Sequence, residues 1–183
     1  MQIALAIQIA LTAVWLQAGQ APAPPAAAAP PTSTTPPGEA TSVQENYDNW
    51  TVLCARKDGK RLCTVSQQQL DKDTRQRVVA VELTEVGPTK ATGSLLLPFG
   101  LAVSKDVALE IDGAALGPPL HFRTCFTPGC LVALNFDGTT IANLKRGGAL
   151  AVRVTGDNGQ PITFSLPLKG FASAYDRTAA LNK

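Results

Sequence analysis

Residues 50–67 read WTVLCARKDGKRLCTVSQ, and their pattern decides the fold. Alternating side chains flank Asp58-Gly59, a pair that favours a two-residue hairpin turn. Such a turn sets Lys57 opposite Lys60, Arg56 opposite Arg61 and Cys54 opposite Cys63. Counted outward from the turn, Cys54/Cys63 is a non-hydrogen-bonded pair with α-carbons about 4.5 Å apart. That separation suits a disulfide, so Cys54–Cys63 is expected. Facing Arg56 with Arg61 costs about a few tenths of a kcal/mol, small beside the ~2–4 kcal/mol of a native disulfide. A longer loop is the competing geometry.

The same punctuation continues downstream. Candidate strands are Trp50–Arg56, Arg61–Gln67, Arg77–Glu85, Ser94–Leu97, Val107–Ile111, Leu120–Cys125, Leu131–Phe136, Ala149–Thr155 and Ile162–Pro167. They are bounded by Gly87-Pro88, Asp112-Gly113, Pro128-Gly129, Asp137-Gly138 and Asn158-Gly159, which are turn residues. Short helices are expected at Thr140–Lys145 and Ala172–Leu181. The expectation is an all-β fold, an antiparallel sandwich or barrel-like domain, with one or two accessory helices. Trp50, Phe122, Phe136, Phe164 and Phe171 are read as core, and Phe99 and Phe171 as aromatic caps over turns at Gly100 and Gly170.

The second cysteine pair brackets Cys125-Phe-Thr-Pro-Gly-Cys130. Proline followed by glycine suits the centre of a type II turn, which would bring Cys125 and Cys130 together. Two local disulfides are therefore expected. A four-cysteine zinc site is disfavoured, because such sites favour close C-x2–4-C pairs. No C-x-x-C motif supports a thiol-redox role.

Upstream the composition changes. Residues 1–45 contain no Lys, Arg, Asp or Cys, and Ile3–Leu16 is almost wholly apolar. Residues 1–21 are expected to be a signal peptide, its apolar run followed by small residues (Ala18, Gly19, Ala21). Pro22 disfavours cleavage after Ala21 and leaves the Ala-rich stretch beyond as another cleavage region. An uncleaved anchor or a buried helix is the alternative. Residues 22–45 are expected to be a Pro/Ala/Thr-rich disordered linker, and 46–183 the folded domain. Seven prolines between Pro22 and Pro37 favour an extended, solvated chain. No later segment is apolar enough to span a membrane, so no transmembrane span is expected after signal cleavage.

Chemistry is sparse. The formal net charge of +2 argues against a nucleic-acid partner. The single histidine, His121, has no nucleophile elbow to serve. Carboxylate pairs drawn from Glu82, Glu85, Asp106, Glu110 and Asp112 sit mostly beside turns, where acidic residues serve turn geometry. The Asp-Gly turns lack the alternating acidic ligands of a calcium loop, and no dinucleotide or Walker glycine motif occurs. No metal, cofactor or catalytic residue is assigned. Arg56, Lys57, Lys60 and Arg61 form one charged hairpin tip, suited to a polyanion such as lipopolysaccharide, anionic lipid or a host glycan. The simpler reading is a solvated tip that discourages strand-edge association.

An ordered set of residues resembles the invasion-associated locus B family. It comprises Trp50-Thr-Val-Leu-Cys54, Cys63, Leu97-Pro-Phe-Gly-Leu101, Phe122-Arg-Thr-Cys125, Gly129-Cys130, Gly147-Gly148 and Leu168-Lys-Gly-Phe-Ala-Ser-Ala174. The resemblance runs from Trp50 to about Ala180. It implies a small exported domain of the bacterial envelope, periplasmic or on the outer surface. Its partner would be an envelope component or a host-surface ligand. The family is named for a protein linked to invasion of host red cells and supplies no established catalytic residues, which implies a binding protein rather than an enzyme. An envelope-integrity role without a host, and an unrecognised hydrolase using His121, are the alternatives.

Overall fold

The computed structural model describes residues 42–182; the expected signal peptide and most of the expected linker lie outside them. The hairpin expected around Asp58-Gly59 is present. Strand β2 (Trp50–Lys57) and strand β3 (Lys60–Leu70) pair with Cys54 opposite Cys63, Arg56 opposite Arg61 and Lys57 opposite Lys60. Asp58 and Gly59 have φ of 52° and 76°, the left-handed pair that a type I′ turn requires.

Strand β1 (Ser42–Tyr47) pairs along β2, from Ser42 opposite Ala55 to Tyr47 opposite Trp50. It begins inside the stretch read from sequence as linker. Only Val43 and Tyr47 supply apolar side chains there, too few for a visible alternation, and pairing to β2 supplies the rest. The chain continues through β4 (Arg77–Val86), β5 (Lys90–Leu97), β6 (Ala108–Ile111), β7 (Ala114–Ala115), β8 (Phe122–Phe126) and β9 (Gly129–Asp137). It ends with α1 (Gly138–Arg146), β10 (Ala149–Thr155), β11 (Pro161–Pro167) and α2 (Phe171–Leu181). Asp137-Gly138 is not a loop turn. Asp137 is the N-cap of α1 and accepts a hydrogen bond from the Thr140 amide at 2.7 Å, so β9 runs directly into the helix.

Two antiparallel sheets result. One has seven strands in the order β1-β2-β3-β4-β5-β9-β8, the other four in the order β11-β10-β6-β7. Each keeps its own edges, so the arrangement is an open pair of sheets and not a closed barrel. Alternation along the large sheet sends Val52, Cys63, Val65, Val81, Leu83, Leu95, Val132 and Leu134 to one buried face. That face shares a single core with Leu109, Leu150, Val152 and Leu166 of the small sheet and with both helices. Trp50, Phe136 and Phe171 are buried, while Phe122 and Phe164 pack against the core partly exposed. Phe99 departs from its expected role. It is 60% exposed, so Gly100 turns the chain without an aromatic cap over it.

Helix α2 is positioned by its first residues. Gly170 has φ of 89°, and a Cβ there would lie 2.0 Å from the Tyr47 carbonyl oxygen. Only glycine admits both the left-handed backbone and that approach. Phe171 then meets Trp50 edge-on at 4.7 Å and Tyr175 at 5.5 Å. The Tyr175 hydroxyl donates to the Gly87 carbonyl at 2.6 Å. Burial, with Asp176 nearby, pushes the phenol up to about 12.

Helix α2 is also fastened to β1 from outside. Arg177 donates to both oxygens of Glu45, at 2.8 Å to Oε1 and 2.9 Å to Oε2, and the Tyr47 hydroxyl adds a third donor at 2.7 Å. Hydrogen bonds from Arg177 first, and from Tyr47 second, hold the Glu45 carboxyl at about 2 instead of 4.5. A carboxyl depressed by folding contributes stability above its unfolded value and loses it as pH falls through the folded value. The contribution is therefore complete above about pH 4.5 and gone near pH 2. Glu45→Gln is expected to flatten this acid limb, as measured by urea midpoints of both proteins across that window. An equally steep limb in the variant would assign the acid sensitivity to other carboxylates.

Candidate functional site

Both expected disulfides are formed. Cys54–Cys63 and Cys125–Cys130 each hold α-carbons 4.0 Å apart. The second turn differs from expectation. The Thr127–Pro128 peptide is cis, and Phe126 pairs with Gly129, so proline occupies the third position of a type VI turn. Gly129 is needed for another reason. A Cβ there would lie 2.3 Å from the Leu97 carbonyl oxygen, so glycine allows β9 to lie close against β5.

The first disulfide anchors the β2–β3 hairpin. Among the described residues β1 pairs with β2 from Tyr47 opposite Trp50 to Ser42 opposite Ala55, and β4 pairs with β3 as far as Val65. Arg56, Lys57, Lys60 and Arg61 are gathered in the last two pairs of the hairpin, beside its turn. Near its base, Asn182 takes the place of the missing neighbour. Its Oδ1 accepts the Cys63 amide at 2.9 Å and its Nδ2 donates to the Cys63 carbonyl at 3.1 Å. This side chain substitutes for one residue of a β-ladder, and sequence reading gave no sign of it.

A second surface was also missed. The outward face of the seven-stranded sheet is an open trough of ≈ 730 Å³. A polar row crosses it in register, from Asn46 through Thr51, Ser66 and Glu82 to Ser94. Five strands at about 4.8 Å spacing make that row roughly 19 Å long. Beside it lie Leu96 and Leu131, which face each other, with Leu53 and Phe126 at the ends, 46% and 48% exposed. Arg77 donates to Gln68 Oε1 at 2.9 Å along one border. The one signal in the sequence was apolar residues at outward positions, as in Ser94-Leu-Leu-Leu97, where strict alternation would place polar ones.

The remaining chemical candidates are dispersed. His121 Nδ1 meets Asp106 Oδ1 at 2.9 Å, but the histidine side chain is 81% exposed, a poor setting for a general base. Glu110 pairs with Arg153 at 2.7 Å. Asp112 accepts the backbone amides of Gly148 at 2.9 Å and Ala149 at 3.1 Å, while Glu85 accepts from Thr92 at 2.8 Å. Among the described residues no three His, Cys, Asp or Glu side chains gather as a metal site. No helix there is long and apolar enough to cross a membrane.

Comparison with known proteins gives a consistent match. The family model described as "Invasion associated locus B (IalB) protein" matches residues 50–179. The invasion protein B homologue of Brucella abortus (strain 2308) is 43% identical over 147 residues, covering 80% of this chain and 84% of that protein. Invasion protein B of Bartonella bacilliformis is 32% identical over 147 residues, covering 79% and 78%. The crystal structure of invasion associated protein B from Bartonella henselae superposes with a TM-score of 0.71 at 31% identity, covering 76% of this chain and 96% of that one.

The Asn182 clamp generates a stability test. Asn182→Ala strands the amide and carbonyl of Cys63, which should cost about 1–3 kcal/mol. Urea unfolding with the disulfides intact should show this loss. A change below about 0.5 kcal/mol, the level of an ordinary surface substitution, would mean that water replaces the clamp.

Proposed function

The chain belongs to the invasion associated locus B family, and from that membership we propose that it is an exported, non-catalytic binding protein of the bacterial envelope that supports contact with host cells. The trough on the outward face of the large sheet is the recognition surface. One observation carries this reading: a seven-stranded sheet closes one face over its core and leaves the other as a shaped, mixed polar and apolar concavity. Surfaces of that composition suit ligands held by a few hydrogen bonds over an apolar floor.

The length of the polar row selects the ligand. About 19 Å matches five or six residues of an extended peptide at ~3.4 Å each, or a short glycan. Hydroxyl and amide groups dominate it, with Glu82 and Arg77 supplying one charge of each sign. That balance favours a near-neutral, extended polar chain. Export is supported by the two disulfides, which persist in oxidising compartments.

Ser94→Tyr places a ring at the β5 end of the polar row, beside Leu96 and Leu131, without touching the buried face. Binding of the oxidised protein to host cells should fall at least about tenfold, with the unfolding midpoint little changed. The same variant assayed on bacterial envelope fragments separates a host ligand from an envelope ligand. Unchanged binding in both settings would remove the trough as the recognition surface.

A further inference from the structure

The hairpin tip carries a second inference, independent of what the trough binds. We propose that the tip of the β2–β3 hairpin docks the domain on an anionic lipid surface. Four observations converge on it.

The tip lies beyond the last pair that β4 makes with β3, Leu83 opposite Val65. In the register of the hairpin Arg56 is opposite Arg61 and Lys57 opposite Lys60, so its last two pairs are all basic residues. Asp58 in the turn is the only acidic residue among positions 56–61. On the outward face behind the tip, Leu62 is 49% exposed and Leu53 is 46% exposed. They occupy neighbouring positions across the hairpin, with Ala55 opposite Leu62. Finally, the tip is held at its base by the Cys54–Cys63 disulfide and the Asn182 clamp, so little ordering remains for binding to impose.

Charge alone would suit any polyanion. The leucines discriminate, because a soluble polyanion gains nothing from apolar side chains beside its contact, whereas a lipid interface buries them. A hollow of ≈ 380 Å³ alongside is lined by Arg61, Leu62, Val86 and Lys90, with Glu85 as the opposing charge. It again brings basic residues and aliphatic side chains together. That is the chemistry of a phospholipid headgroup meeting its acyl chains.

The test is co-sedimentation of the protein, purified from exporting cells with disulfides intact. The two probes are vesicles of phosphatidylcholine alone and of phosphatidylcholine with phosphatidylglycerol in equal parts. Binding to the anionic vesicles is expected, weakened by added salt. Each basic residue near such a surface contributes roughly fivefold, so Lys57→Gln with Lys60→Gln should lower binding by about 25-fold. Leu62→Ser should lower it several-fold at unchanged charge while leaving retention on heparin unaltered. Ser94→Tyr should leave vesicle binding as it is, which separates this docking from trough recognition. The proposal is overturned if anionic vesicles are bound no better than neutral ones. It is also overturned if Leu62→Ser binds them as well as the parent does, which would assign the tip to a soluble polyanion. Unfolding midpoints of the variants, expected to match the parent's, exclude misfolding as the cause of lost binding.

Discussion

The carbonyl oxygen of Pro167, at the end of the small sheet, receives two side-chain donors from the large one. Trp50 Nε1 and Gln67 Nε2 both reach it at 3.1 Å. This polar junction fixes how one sheet sits over the other, and much of the molecule depends on it. Trp50, held by its indole N–H, meets Phe171 in an edge-type contact. Phe171 starts α2, and α2 delivers Tyr175 to Gly87 and Asn182 to Cys63. Gln67 achieves this with its Oε1 left without a partner among the described residues. An unsatisfied buried acceptor costs about 1–3 kcal/mol, so the junction is a compromise between packing and polar satisfaction.

The proposed recognition surface is what this packing leaves uncovered. The small sheet and the helices close only the inner face of the large sheet. Its outer face keeps both hydrogen-bonding and apolar groups in register. The two disulfides each lock a hairpin bordering that face, one behind the basic tip and one beside Phe126. Rigid hairpins around an open face resemble a preformed recognition surface, where affinity is not spent on ordering the protein.

Local features were legible in the sequence because their determinants are adjacent. Asp58-Gly59 demanded a type I′ turn, and that turn alone set Cys54 against Cys63 and gathered the four cations. The Cys125–Cys130 pairing was also legible, although the turn within it is of a different class from the one that Pro-Gly favours. Pro128 proved to be the third residue of the turn, not the second, and Gly129 is required by the nearness of Leu97. Asp137-Gly138 looked like another turn because Asp-Gly is ambiguous between a turn and a helix N-cap. Long-range features were not legible. Asn182 lies 119 positions from Cys63, and nothing in either local pattern links them. The polar row of the trough is assembled from five strands, one residue each, so it has no sequence signature. β1 became a strand only through β2. The family resemblance spanned nearly the same residues that the family model matches, 50–179, but carried no information about either surface.

Recognition is proposed to take place on the outward face of the large sheet. Hydroxyl-radical footprinting of the oxidised protein, free and bound to host-cell membranes, tests it most directly. Oxidation of Leu96, Phe126 and Leu131 should drop on binding, while Phe99 and Val103, exposed but outside the trough, should react as before. Full reactivity of the three trough residues in the bound state would contradict the account, and protection at Phe99 and Val103 instead would move the recognition surface to another part of the domain.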